Sequence, residues 1–107
     1  MEVEVLYVPG CPHRALVTAR LQLAIERLAV EAAVRETEVS TREAARVLGM
    51  RGSPTVLVNG RDPFAGLDAE PSLSCRLYRS EGRIEGAPAV ADLVVALAAA
   101  AGADHKA

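Results

Sequence analysis

Aromatic residues are nearly missing from this chain of 107 residues, which has two tyrosines (Tyr7, Tyr78), one phenylalanine (Phe64) and no tryptophan. The stacking platforms that hold single-stranded nucleic acid are therefore lacking. A basic cluster is missing too: the formal net charge is -2, and the charges are scattered rather than massed against a phosphate backbone. Nucleic acid is not expected as a partner. The most apolar run, "AVADLVVALAAAA" at 89–101, is shorter than the roughly 18 residues a membrane span needs and is broken by Asp92, so no membrane partner is expected. The opening "MEVEVLYV" has neither the cationic start nor the apolar stretch of a secretory signal, and a cytoplasmic location is expected. Cysteine is scarce: Cys11 and Cys75 are too few for a disulfide-stapled scaffold. In a reducing compartment such cysteines are more often reactive, metal-binding or buried.

What is present suits one domain with alternating strands and helices. "VEVLYV" (3–8) reads as a strand buried on both faces. From Pro12 to about Ala32 apolar residues recur at Val17, Leu21, Ala24, Ile25 and Leu28, which predicts a long amphipathic helix. "AVRETEV" (33–39) alternates weakly and is charged, as an edge strand should be. In "STREAARVLG", Ser40 and Glu43 have capping-box spacing and Gly49 supplies a left-handed end, predicting a short second helix. "SPTVLVNG" (53–60) is a strand closed by the hairpin signal Asn-Gly. The segment from Arg61 to Ser74 reads as loop beyond a short strand at its start, "CRLYR" (75–79) as a strand, and Pro88 opens a last helix that ends before Gly102. The class is α/β, with a central mixed sheet of about four strands flanked by helices. Residues 1–102 form the domain and 103–107 a frayed, disordered tail.

The chemistry points to Cys11. "VPGCPHR" puts it after a Pro-Gly corner and before a helix; with Cys11 as cap and Pro12 as first residue, its sulfur faces free N–H groups and the positive helix end. His13 and Arg14 add positive potential. Thiols in such settings ionise more readily than a free cysteine, and the thiolate is the form that attacks disulfides and binds soft metals. A cysteine that merely starts a helix is the plainer alternative.

Gly10-Cys11-Pro12-His13 after a strand, followed about forty residues later by "GSPTVLVNG", resembles the thioredoxin superfamily over most of the chain. Cys-Pro-His is similar to the start of the Cys-Pro-His-Cys motif of DsbA-type disulfide oxidoreductases. The resemblance implies a thioredoxin-like fold, a cis Pro54 against the active cysteine, and a substrate-presenting segment Ser53-Pro54-Thr55. From their place at the helix start, Pro12, His13 and Arg14 are the residues expected to stabilise the thiolate. The chain departs from the pattern in three places: Arg14 stands where the second motif cysteine belongs, Val5 where many relatives carry a buried acid, and Val8-Pro9 where a tryptophan is common. The motif is thus monothiol.

"NGRDPFAGLD" resembles the stretch with which glutaredoxins hold the tail of a glutathione-like thiol, placing Asn59, Gly60, Gly66 and Asp68. The alternative there is a Gly-rich turn with a solvated acid. Cys75 is either the resolving thiol or a small buried hydrophobe at a strand head. His105 lies in the tail, and no metal site or cofactor is expected. The expected function is monothiol thiol–disulfide exchange: Cys11 forms a mixed disulfide with a protein or small-molecule thiol, and Cys75 or a low-molecular-weight thiol resolves it. Two rivals remain open. One is soft-metal or organomercury handling by the Cys11/Cys75 pair, similar to small chains with an alkylmercury-lyase-like label; the other is a redox-inactive thioredoxin-like binding module.

Overall fold

The computed structural model describes residues 1–66 and 69–104. It is mixed α/β: β1 (Glu2–Tyr7), α1 (Arg14–Leu28), β2 (Ala33–Glu38), α2 (Arg42–Leu48), β3 (Arg51–Ser53), β4 (Thr55–Val58), β5 (Ser72–Cys75), β6 (Tyr78–Ser80), β7 (Arg83–Glu85) and α3 (Val90–Asp104). The largest sheet runs β2-β1-β4, with β3-β5 and β6-β7 as separate pairs.

β1 is central because it sends buried side chains to both faces of the sheet. Val3 and Val5 pack with Val56 and Val58 of β4 against Val17, Leu21 and Ala24 of α1 and Leu93 and Leu97 of α3. Leu6 points the other way, into a second cluster with Val39, Ala45 of α2, Met50 and Leu57. Successive side chains of a strand alternate between faces, so β1 serves both cores. β2 runs parallel to β1 after the α1 crossover, with Val3 opposite Val34, whereas β4 is antiparallel, with Val5 opposite Val56. The charged residues of β2 leave it on the sheet edge, as its sequence implied: Arg35, Glu36 and Glu38 are exposed.

Several local expectations shift. The sheet has three strands rather than about four. Asn59 and Gly60, both at positive φ (50° and 81°), turn the chain back in the type I′ manner. Only Arg61 then pairs, with Val58, before Asp62-Pro63 ends the return. Proline has no N–H to give, and the Asp62 carboxylate instead accepts from the Phe64 N–H at 2.9 Å. The second helix is capped by Thr41, whose hydroxyl accepts from the Ala44 N–H at 3.1 Å, and not by Ser40. The reason lies one residue earlier, where the buried Val39 is still bonded in extended form to the Tyr7 carbonyl at 2.7 Å. "CRLYR" is no single strand: Cys75 ends β5, and Tyr78 opens a hairpin whose turn, Glu81-Gly82, again has two positive φ angles. α3 passes through Gly102 to Asp104, into the expected tail, and residues 105–107, His105 among them, lie outside the described residues. Among the described residues no helix is long and apolar enough to cross a membrane.

Candidate functional site

Cys11 sits in a built turn. Its N–H donates to the Val8 carbonyl at 3.1 Å, with Pro9 and a positive-φ Gly10 (74°) at the two central positions, the type II pattern that needs glycine there. Because this turn uses Cys11, α1 begins later than the spacing suggests. Its cap is His13, the first turn's leading bond runs from the Val17 N–H to the His13 carbonyl, and no side chain caps the helix. Cys11 thus precedes the cap by two residues instead of being the cap. It is half-buried between the exposed Pro9, Gly10 and Pro12.

The three residues expected to stabilise its thiolate point in different directions. Pro12 is exposed in the turn. The His13 ring lies against the backbone of Gly86, so closely that a Cβ on Gly86 would fall 2.4 Å from its Cε1 and Nδ1 atoms. The Arg14 guanidinium pairs with Glu36 at 3.2 Å and covers the Tyr7 ring at 4.9 Å, so its charge is shared with an acid on β2.

Ser53, Pro54 and Thr55 come together beside the Cys11 turn, and the Ser53–Pro54 bond is cis. The Val8 N–H donates to the Ser53 hydroxyl oxygen at 3.0 Å, tying the end of β1 to β3. The Thr55 hydroxyl donates to the Gly52 carbonyl at 2.6 Å and accepts from the Arg51 N–H at 3.0 Å. All three residues are buried; Ser53 retains 1 % exposure and Thr55 none.

What buries them is the chain itself. β5 pairs in parallel with β3, placing Cys75 opposite Ser53, and the next N–H, that of Arg76, donates to the Ser53 carbonyl at 3.0 Å. Arg76 then turns inward. Its guanidinium grips the Asp62 carboxylate with both terminal nitrogens, at 2.6 and 3.2 Å, and lies 4.8 Å over the Tyr78 ring. The Tyr78 hydroxyl donates to the Pro54 carbonyl, and its ring meets Phe64 edge-on at 5.5 Å between centroids. Burial pushes the Tyr78 phenol well above its usual range; the neighbouring Asp62 and a charged Cys11 push the same way, while Arg76 opposes them.

Asp62, Arg76 and Tyr78 are the members that the motif reading passed over. Two signals were available. Arg76 and Tyr78 are two apart in an extended run and so share a face, and Asp-Pro-Phe is a common Asx-turn opening. Of the glutathione-like stretch, Asn59 and Gly60 form the β4 turn, Gly66 is exposed, and Asp68 lies outside the described residues. Cys75 is exposed rather than a buried strand head, and both cysteines are free thiols. No group of three or more His, Cys, Asp or Glu able to hold a metal ion occurs among the described residues. Compared with known proteins, the chain matches no family model, no curated protein and no solved structure.

Proposed function

We propose that the chain is a thioredoxin-like thiol–disulfide oxidoreductase in which Cys11 attacks and Cys75 resolves. One observation carries the reading: both cysteine-bearing segments converge on Ser53, whose hydroxyl takes the N–H of Val8 from the Cys11 turn while β5 sets Cys75 opposite its backbone. The order β2-β1-β4, with β2 parallel and β4 antiparallel to β1, and the cis proline just before β4 support the thioredoxin-like part.

The chemistry is a pair of exchanges. The Cys11 thiolate attacks one sulfur of a disulfide R–S–S–R; that S–S bond breaks, a Cys11–S–R bond forms and one R–S⁻ leaves, taking a proton from water. The Cys75 thiolate then attacks the Cys11 sulfur, expelling the second R–S⁻ and leaving a Cys11–Cys75 disulfide. Two electrons have passed to the substrate, and a low-molecular-weight thiol, as in cytoplasm, returns the pair to its reduced form. Ser53, Pro54 and Thr55 serve as the buried floor that holds the two segments in register.

Mass measurement after reaction with excess bis(2-hydroxyethyl) disulfide tests this. The wild-type chain is expected to lose two hydrogens and carry no adduct, and Cys75→Ser to carry one adduct on Cys11. Catalysed reduction of the same probe by a small thiol should fall to background in Cys11→Ser. Two stable adducts on the wild-type chain would refute the resolving role. One Hg(II) bound per chain through both cysteines, with no disulfide exchange, would replace the reading by soft-metal handling.

A further inference from the structure

An extended polypeptide binds a sheet by adding a strand to a free edge, its N–H and C=O groups pairing with those the edge presents. Next to the cis proline that edge is taken. The Ser53 carbonyl accepts from Arg76 and the Met50 carbonyl from the Ser72 N–H at 3.1 Å, with Arg51 opposite Ser72 and Ser53 opposite Cys75. β5 occupies the place that an added strand would take. Leu73 packs on the Leu6–Met50–Leu57 cluster. Gly52, at φ 104°, lets the β5 exit approach so closely that a Cβ in its place would lie 2.9 Å from the Arg76 Cβ.

The strand is also locked at its exit. The Arg76 and Asp62 side chains keep only 11 % and 1 % of their exposure, so opening the pair strips a buried ion of its partner. Arg76 covers Tyr78, and Tyr78 is bonded to the Pro54 carbonyl. Cys11, by contrast, is only half-buried, in a turn whose Pro9, Gly10 and Pro12 are exposed.

We propose that the Asp62–Arg76 clasp is a specificity device: by holding β5 on the β3 edge it makes Cys11 react with small disulfides and refuse extended polypeptide disulfides. Asp62 and Arg76 are positioning residues that act through β5. The inference rests on the reading of Cys11 as the attacking thiol. The step it governs is the first exchange, in which the probe's S–S bond is traded for a Cys11 mixed disulfide and one thiolate is released.

The test uses two probes, bis(2-hydroxyethyl) disulfide and an extended ten-residue peptide whose single cysteine is joined to 2-mercaptoethanol; for the peptide only the Cys11–peptide adduct is counted, so that 2-mercaptoethanol is the leaving group in both reactions. Rates of Cys11 modification are followed by mass in Cys75→Ser, each divided by the rate with the same chain in denaturant. The small probe is expected to be favoured at least tenfold, and Asp62→Asn to narrow the ratio by speeding the peptide alone. A purely structural role would slow or speed both together. Equal normalised rates would overturn this inference while leaving Cys11 as nucleophile. Failure of Cys11 to react with either probe would overturn the functional reading and this one with it. If Asp62→Asn does not fold, hydrogen exchange of the wild-type Ser72 and Arg76 amides decides the structural half: protection comparable to β1 is expected, and rapid exchange would refute a closed edge.

Discussion

Removing a single oxygen at Tyr78 tests the packing over Pro54. In Tyr78→Phe the ring keeps its edge contact with Phe64 and its place under Arg76, but the Pro54 carbonyl, inside the core, loses its donor. Leaving such an acceptor unsatisfied costs about 1–3 kcal/mol. For a domain of this size that lowers the melting temperature by roughly 4–13 °C. The phenol adds a pH signature. Its pKa is raised from 10.0 by burial first, so the folded chain holds the proton more tightly than the unfolded one. Stability from the hydroxyl is therefore complete below pH 10 and is lost as pH rises from there toward the folded value, at about 1.4 kcal/mol per pH unit. Urea unfolding of both chains at pH 7 and pH 11 should show the wild-type advantage shrinking by about 1.4 kcal/mol at the higher pH. Every other group is common to the two chains, so the difference between them isolates the Tyr78 hydroxyl. A gap of equal size at the two pH values would refute the buried, donating phenol.

Acid should weaken the fold through three carboxylates. Glu4 is held below the usual range chiefly by the Thr37 hydroxyl, with burial opposing and Arg35 assisting; Glu85 is lowered by Arg20 and Glu43 by Arg46. Their contribution is present above the unfolded value near 4.5 and fades as pH falls through the folded ones, so urea midpoints should drop below pH 4.5, less steeply in Glu4→Gln. Gly86→Ala is expected to cost about 1–3 kcal/mol by driving a Cβ into the His13 ring. In a His13→Ala background the same change should be nearly free, and a double-mutant cycle measures the difference.

Much of the fold was legible because periodicity reports burial directly. The apolar run of β1, the helical spacing of Val17, Leu21 and Ala24, the charges of β2 and the Asn-Gly turn each carry their own local cause. Boundaries were less legible where two good candidates stand side by side. Ser40 and Thr41 are equally able caps, and the choice fell to the bond that keeps Val39 extended against Tyr7. Likewise the Val8–Cys11 turn delayed α1 by two residues from Pro12 to Arg14.

By itself the sequence determined the alternation of strands and helices, the central place of β1, and the setting of Cys11 between a Pro-Gly turn and a helix, since these follow from side-chain period and from the φ angles that Pro and Gly permit. Only the tertiary structure decided what closes over Pro54. Asp62 and Arg76 are residues usually found in water, and a buried pair between them forms only when a long loop returns and each charge neutralises the other away from solvent. The placing of Cys75 opposite Ser53 follows from that closure, because strand register is set by partners distant in the chain and leaves no mark on the local pattern.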